Sequence, residues 1–135
     1  MSFWQSKTKI LRPDLLFSQF IRKRANWHCE LKFKCNGVED FRDNKGGLTC
    51  SHFEKRSKRT VRYDPENCDA ACRPCHRYVE DTQEGIQAYK DWKKKKLGDV
   101  GYRNLIIRAN QTQPPMDKKM ELLYVKELIK QLTTK

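Results

Sequence analysis

Residues 70–80 read Ala-Ala-Cys-Arg-Pro-Cys-His-Arg-Tyr-Val-Glu, and this stretch decides the fold because it joins a metal-binding pattern to the start of a helix. Its proline is typical of a first helical turn. The two residues between Cys72 and Cys75 let both thiolates reach one tetrahedral zinc ion. His76 and Glu80 lie four residues apart and therefore share one helical face. The stretch predicts half of a zinc site beside a polar helix face.

The remaining cysteines of the six in the chain supply the other half of that site. We predict Cys29 and Cys35 as the partners, although the usual spacing of such a pair is only about two to four residues. Cys50, Cys68 and His28 stay open as substitutes. A metal is favoured over disulfides because no secretion signal is recognised. A redox Cys-x-x-Cys is the other alternative, but the flanking sequence lacks the strand-helix-strand pattern of thioredoxins.

Size and charge indicate what kind of partner the chain has. Its 135 residues suit one small domain, whose modest core would gain stability from a bound metal. The 29 basic and 17 acidic residues give a net charge of +12, which predicts a large polyanion such as DNA as the partner. No apolar run reaches the length of about eighteen residues that a membrane span needs, so we expect no membrane association.

We predict three parts of one compact unit. They are a helical N-terminal arm over residues 1–28, a zinc-stabilised module over 29–82 and a helical C-terminal extension over 83–135. In the arm, apolar residues between Pro13 and Arg24 recur at helical spacing, with an acid at the start and cations at the end. The arm is therefore expected to pack on the module as a helix.

Turn signals over residues 36–47 precede two predicted strands, at 48–51 and 61–63, with a basic loop between them. A further helix is expected to begin near Asp81, and residues 97–115, which contain glycines and two prolines, are expected to form a connector. The last predicted helix has an apolar stripe, which suits packing within the chain or in a homodimer.

Two histidines and an asparagine follow one another in an order that carries a resemblance. Ser51-His52-Phe53 comes first, Tyr63-Asp64-Pro65-Glu66-Asn67 next, and His76 directly after the last cysteine. Together with the cysteines, these residues resemble the HNH endonuclease family, whose domain is a zinc-bound treble clef with a ββα-metal core. Residues 17–22, Phe-Ser-Gln-Phe-Ile-Arg, are similar to the NinG or Rap recombination proteins of lambdoid phages. The resemblance covers about residues 17–92.

The resemblance implies a small α+β fold, flanked by N- and C-terminal helices, that hydrolyses DNA in recombination or at branched, Holliday-junction-like DNA. His52 would be the general base that activates water, and Asn67 would orient the loop beside it. His76 would bind a catalytic Mg²⁺ or Mn²⁺ ion. We add Glu80 as a second ligand because it lies one helical turn after His76. The structural Zn²⁺ would be held by Cys29, Cys35, Cys72 and Cys75.

Cationic residues beyond His52, together with a run of four lysines, are predicted to contact DNA phosphate, which gives affinity without sequence information. These residues are Lys55, Arg56, Lys58, Arg59, Arg62, Lys93, Lys94, Lys95 and Lys96. Arg56 also matches an arginine of the NinG-like proteins.

Ser51 occupies a position where many HNH enzymes have an acidic or histidine metal ligand, and a hydroxyl is a weak ligand. This departure motivates a second hypothesis, a non-catalytic zinc module that binds DNA or recombination partners. Symmetric cutting of both strands would call for a homodimer. We expect the protein to remain in a cytoplasm, that of a bacterial host if a phage encodes it.

Overall fold

The structure is a computed structural model that describes residues 12–134, and over that range the chain has a small α+β fold. Its regular elements there are four helices and two strands: α1 Pro13–Arg24, β1 Leu48–His52, β2 Cys68–Cys72, α2 Arg73–Asp81, α3 Gln83–Ala109 and α4 Lys118–Thr133. The predicted α+β class is confirmed. The first eleven residues of the predicted N-terminal arm lie outside the described range. Within it, no helix has the length and apolar character needed to cross a membrane.

The two strands and the helix that follows them position the candidate site. β1 pairs antiparallel with β2, and the register places Leu48 opposite Cys72 and His52 opposite Cys68. Every residue of β2 is buried. Because β2 runs directly into α2, the last residue of the strand and the first turn of the helix lie side by side at one end of the sheet.

The prediction of a strand at residues 61–63 is wrong. Residues Arg59–Val61 instead form a short 3-10 turn, and the strand that pairs with β1 begins at Cys68. Val61 is completely buried, in a cluster with Leu105 and Ala109 of α3. Its β-branched side chain therefore serves tertiary packing, which strand propensity does not distinguish from strand pairing.

Helix α3 passes through most of the segment predicted as a connector, so that prediction is also wrong. The helix starts at Gln83, where the Thr82 hydroxyl caps it by accepting a hydrogen bond from the Gly85 N–H at 2.8 Å. Gly98 has a φ of 77° and a non-helical backbone, so α3 consists of two helical segments that meet at a kink there. Glycine tolerates this left-handed backbone at no steric cost. Beyond the kink, the helix returns Leu105 to the core.

The flanking helices α1 and α4 pack on each other beside the sheet. α1 begins with Pro13, has Asp14 in its first turn and has basic residues in its last, which confirms the prediction for this helix. Phe17 and Ile21 share a buried cluster with Val125 of α4. Val125, which belongs to the apolar stripe of α4, therefore packs within the chain.

Lys93, predicted to contact DNA, is fully buried instead. Its ammonium donates hydrogen bonds to Asp69 Oδ2 at 2.5 Å and to the Glu66 carbonyl at 2.8 Å. Asp69 also accepts hydrogen bonds from Tyr89 Oη at 2.7 Å and from Lys96 Nζ at 2.8 Å. Burial acts to raise the pKa of Asp69, but the two lysines outweigh it and lower that pKa. Lys93 therefore fastens α3 to β2 and is not available to phosphate.

Replacing Lys93 with methionine is expected to lower the free energy of unfolding by about 3 kcal/mol, because it removes one partner of a buried ion pair. Lys95, two residues along the same helix, is exposed. Lys95→Met is the matched control and should change stability by less than about 0.5 kcal/mol. Urea denaturation of both variants measures the difference. Equal stabilities would show that the buried pair contributes nothing.

Candidate functional site

Four cysteines come together from two distant parts of the chain. Cys29 and Cys35 belong to one loop, whereas Cys72 ends β2 and Cys75 lies in the first turn of α2. Their sulfur atoms all lie within 4.8 Å of one another, and Cys35 Sγ is 3.9 Å from Cys75 Sγ. Zinc–sulfur bonds of about 2.3 Å in a tetrahedron give sulfur–sulfur edges of about 3.8 Å. The four cysteines can therefore hold a metal ion such as zinc.

Backbone contacts hold the wide loop between the first two cysteines. Lys32 has a φ of 61°, a left-handed conformation that turns the loop back on itself. The N–H of Glu30 donates to the Ala70 carbonyl at 2.8 Å, and the Glu30 carboxylate accepts from the Ala70 N–H at 2.9 Å. Lys34 N–H points at Cys75 Sγ at 3.2 Å. These contacts fix the loop that carries Cys29 and Cys35. The spacing of the two cysteines alone matched the usual pattern of zinc ligands only weakly.

The thiols differ in how easily they ionise. Burial acts to raise the pKa of Cys29, but hydrogen bonds from the backbone N–H groups of Cys72 and Lys32 and from the thiols of Cys35 and Cys75 together outweigh it, so its pKa is lowered. Burial raises the pKa of Cys72 well above its usual range. Since a metal binds thiolates and displaces their protons, binding at this cluster will release protons and weaken at acidic pH.

His52 ends β1 with its ring fixed by the chain itself. Nε2 lies 3.0 Å from the carbonyl oxygen of Arg62. A carbonyl only accepts, so Nε2 donates its proton there and Nδ1 keeps a lone pair. Burial lowers the pKa of His52 from its ordinary 6.5, more than the Arg62 carbonyl raises it. At neutral pH the imidazole is uncharged, which is the form that can accept a proton.

Asn67, immediately before β2, is completely buried and closes the loop that follows His52. Its Oδ1 accepts a hydrogen bond from the Glu54 N–H at 2.8 Å. Its Nδ2 donates to the carbonyls of Glu54, at 3.0 Å, and Val61, at 3.1 Å. One side chain thus connects the beginning, middle and end of the loop, and it does so away from solvent.

His76, on α2, has the opposite tautomer from His52. Its Nδ1 lies 2.8 Å from Thr49 Oγ1, which donates its only proton to the Ala71 carbonyl at 2.7 Å. The threonine oxygen must therefore accept from Nδ1–H, and in the uncharged ring Nε2 keeps the lone pair. This nitrogen lies 3.4 Å from the Glu80 carboxylate. A lone pair and a carboxylate that face each other are suited to sharing a cation.

Both histidines line one open groove with a volume of about 970 Å³. Thr49, Glu80 and Asp81 also line it. Ser51 does not: its side chain is buried, and its hydroxyl has no hydrogen-bond partner among residues 12–134. Side chains alternate along a strand, so Ser51 points to the opposite face of β1 from His52.

The groove is lined by more cations than acids, and only some of those cations were predicted. Its acids are Asp14, Glu80 and Asp81, and its cations are Arg22, Lys45, Lys55, Arg56 and Arg73. Lys55 and Arg56 were predicted from their position after His52. The other three come from α1, from the turn before β1 and from the start of α2. No sequence pattern links those segments, because the fold alone brings them together.

Among the predicted cations, Lys55 and Arg56 line the groove, and Arg56 also pairs with Asp14 at 3.2 Å, whereas the others are engaged elsewhere or lie outside the groove. Arg62 makes a two-pronged ion pair with Asp14 of α1, and Lys58 pairs with Glu54 at 2.8 Å. Lys96 pairs with the buried Asp69. The remaining three are exposed and do not line this groove: Arg59, Lys94 and Lys95.

No protein-family model matches this chain, and searches of curated proteins and of solved structures find no significant match either. Fold and site nevertheless define a class. This is a small α+β protein in which a four-cysteine cluster that can hold a metal ion adjoins a groove lined by two histidines.

Proposed function

We propose that the protein is a metal-dependent DNA endonuclease of the HNH type, with a structural Zn²⁺ in a treble clef formed around the four cysteines. One observation carries the proposal. Two histidines from different elements line the same groove, and each has one nitrogen fixed by a hydrogen bond so that the other keeps its lone pair.

His52 acts as the general base in this proposal. Its Nδ1 accepts a proton from the water that attacks phosphorus, while the Arg62 carbonyl holds the ring through Nε2–H. The positive charge that develops on the ring is compensated in part by this carbonyl. Asn67 acts by position alone, since it fixes the loop that carries Arg62.

His76 Nε2 and the Glu80 carboxylate would hold the catalytic Mg²⁺ or Mn²⁺. When bound, such an ion stabilises negative charge on the phosphate and on the departing oxygen. The donor set fits a hard cation only in part, because one nitrogen and one carboxylate leave the remaining positions to water and phosphate oxygens. Products with a 5′-phosphate and a 3′-hydroxyl are expected from the resemblance.

Removing the carboxylate of Glu80 is expected to raise, by roughly tenfold, the Mn²⁺ concentration that gives half-maximal cleavage, as losses of groups around metal sites commonly do. Glu84→Gln is the matched control, because Glu84 is exposed and lies outside the groove. Cleavage rates across a metal titration compare the two variants. If Glu80→Gln leaves the titration curve unmoved, Glu80 is not a ligand.

The groove cations are expected to grip phosphates on either side of the cut. Lys55→Ala combined with Arg56→Ala should weaken duplex binding about tenfold or more and reduce the slope of log affinity against log salt by about one to two. Lys94→Ala combined with Lys95→Ala removes the same charge from outside the groove and should leave the slope closer to the wild-type value. Fluorescence anisotropy at several salt concentrations measures both. Equal losses in the two double variants would argue against a groove-specific grip.

Incubation of supercoiled plasmid with Mg²⁺ or Mn²⁺ tests the proposed activity. Nicked circles should accumulate only with the divalent ion, and the His52→Ala variant should bind DNA without nicking it. The buried Ser51 favours the second candidate, a non-catalytic zinc module that binds DNA. That candidate predicts tight, salt-sensitive binding with no cleavage of supercoiled, linear or four-way DNA by the wild-type protein.

A role in phage recombination at branched DNA is the most specific part of the proposal and rests on the NinG-like residues. Cleavage of a four-way junction should then be faster than cleavage of a linear duplex of the same sequence. Sedimentation of the protein on the junction would show whether two copies bind, as symmetric cutting requires.

A further inference from the structure

Three potential metal ligands outside the four-cysteine cluster meet beside the groove. Cys50 and His52 lie two residues apart on β1 and so face the same side of the sheet. Cys68 of β2 lies opposite His52 in the strand register. The two sulfur atoms and a ring nitrogen of His52 all lie within 4.8 Å of one another. A bound ion needs no rearrangement of the strands to reach all three.

The chemistry of the cluster favours a metal over a disulfide. Cys50 lies opposite Ala70, which makes Cys50 and Cys68 diagonal neighbours across the two strands. Diagonal neighbours ordinarily stand farther apart than the Cβ–Cβ distance of about 3.5–4.5 Å that a disulfide needs. Two thiolates and an imidazole are soft and borderline donors, which prefer Zn²⁺ or Cd²⁺ to Mg²⁺.

The groove gives a metal ion access to these three ligands from solvent. Cys50 and His52 line it, whereas Cys68 is completely buried behind them. Three protein ligands leave a fourth tetrahedral position open to water or to an anion from the groove. On binding a divalent ion, the two thiols become thiolates and release two protons to solvent.

We propose that Cys50, His52 and Cys68 form a second metal site, specific for thiophilic divalent ions such as Zn²⁺, and that its occupancy inhibits the nuclease. The inhibitory part rests on the proposed function, whereas the site itself does not. A neutral imidazole has one lone pair. Whichever nitrogen binds the ion, the other carries the proton, so His52 can no longer accept a proton from water.

Mg²⁺ and Zn²⁺ then have opposite effects through different residues. Mg²⁺ supports cleavage from the site at His76 and Glu80, because this hard ion prefers oxygen ligands and binds thiols weakly. The soft ion is taken up at the three-ligand cluster. The protein is expected to lose activity as free Zn²⁺ rises even while Mg²⁺ is saturating.

Zinc stoichiometry tests the site without reference to activity. After equilibrium dialysis against Zn²⁺ in slight excess, with Mg²⁺ saturating the site at His76 and Glu80, elemental analysis should find two zinc ions per wild-type chain and one per Cys50→Ser chain. The zinc that Cys50→Ser retains at the four-cysteine cluster shows that this variant is folded. Ser51→Ala is the matched control, since the neighbouring hydroxyl faces away from the cluster, and it should keep two. A single zinc ion in the saturated wild-type protein overturns the proposal.

Inhibition is tested separately by adding Zn²⁺ to cleavage reactions at saturating Mg²⁺, with each protein compared to its own uninhibited rate. Cys50→Ser should need at least tenfold more Zn²⁺ than the wild type for half-inhibition. Suppose that Zn²⁺ inhibits Cys50→Ser and the wild type equally, while the variant binds one zinc ion and the wild type two. That result would overturn the inhibitory role but support the metal site. If the wild-type protein cleaves no DNA, the proposed function is wrong. The number of zinc ions bound per chain still tests whether the second metal site exists.

Discussion

Removal of the metal from the four-cysteine cluster is expected to unfold the protein. Three of the four cysteines are buried and belong to the main core, together with residues of both strands and of α2 and α3. Structural zinc contributes about 10–16 kcal/mol in zinc-finger peptides. A domain of this size has a total stability of only about 5–15 kcal/mol. Loss of such an ion would therefore remove as much free energy as the whole net stability of a domain of this size.

Cys75→Ser is the sharpest variant for this prediction, because Cys75 is completely buried and its sulfur lies 3.9 Å from the Cys35 sulfur. We expect no cooperative thermal transition in this variant by circular dichroism, and the same result for the wild type treated with a strong chelator. Cys50→Ser is the matched control, since Cys50 lies outside this cluster, and it should keep both the tight zinc and the transition. A chelated protein that melts at the wild-type temperature would falsify the structural role of the metal.

Local patterns in the sequence predicted the parts of the fold that local physics determines. The helix beginning at Pro13 follows from its proline, its charges and its periodicity. The start of α2 follows in the same way from the stretch at 70–80. The second strand was misplaced because the β-branched Val61 is typical of strands, whereas only the antiparallel register with β1 selects Cys68. Residues 97–115 were interpreted as a connector because of their glycines and prolines, but the chain resumes helical geometry after the kink at Gly98, and Leu105 of this second segment packs into the core.

The same distinction between local sequence and tertiary packing holds for the candidate site. Cys72 and Cys75 could be predicted because their spacing is typical of zinc ligands, whereas Cys29 and Cys35 were chosen despite a wider spacing than usual. The burial of Lys93 could not, since its neighbour Lys95 has the same side chain and differs only in helical phase relative to Asp69. Nor could the tautomer of His76 be predicted, because its partner Thr49 lies on β1, far away in the sequence. A run of charged residues predicts an exposed surface. Tertiary packing then decides which residue of the run is buried.

Replacing His52 with alanine is expected to lower the rate of cleavage by roughly 10²–10⁴-fold, the usual contribution of a general base. DNA affinity should change little, because His52 is uncharged at neutral pH. His28→Ala is the matched histidine control: its Nδ1 contacts the Gly37 carbonyl at 3.1 Å in the zinc loop, and it does not line the groove. Both variants must retain the structural zinc for the comparison to count. Full activity in a zinc-loaded His52→Ala protein would remove the base from the mechanism.

The pH profile separates a base from a merely structural histidine. kcat/KM should fall tenfold per pH unit below the pKa of His52 and level off above it, because only the neutral ring accepts a proton. Burial, chiefly, places that pKa below 6.5, and the charge of Arg56 lowers it further because a nearby cation disfavours the imidazolium. Arg56→Ala should therefore move the acid limb to higher pH, whatever it costs in affinity. Lys95→Ala should leave the limb in place, since that cation lies outside the groove. An acid limb at the same pH in all three proteins would mean that a group other than His52 sets the profile.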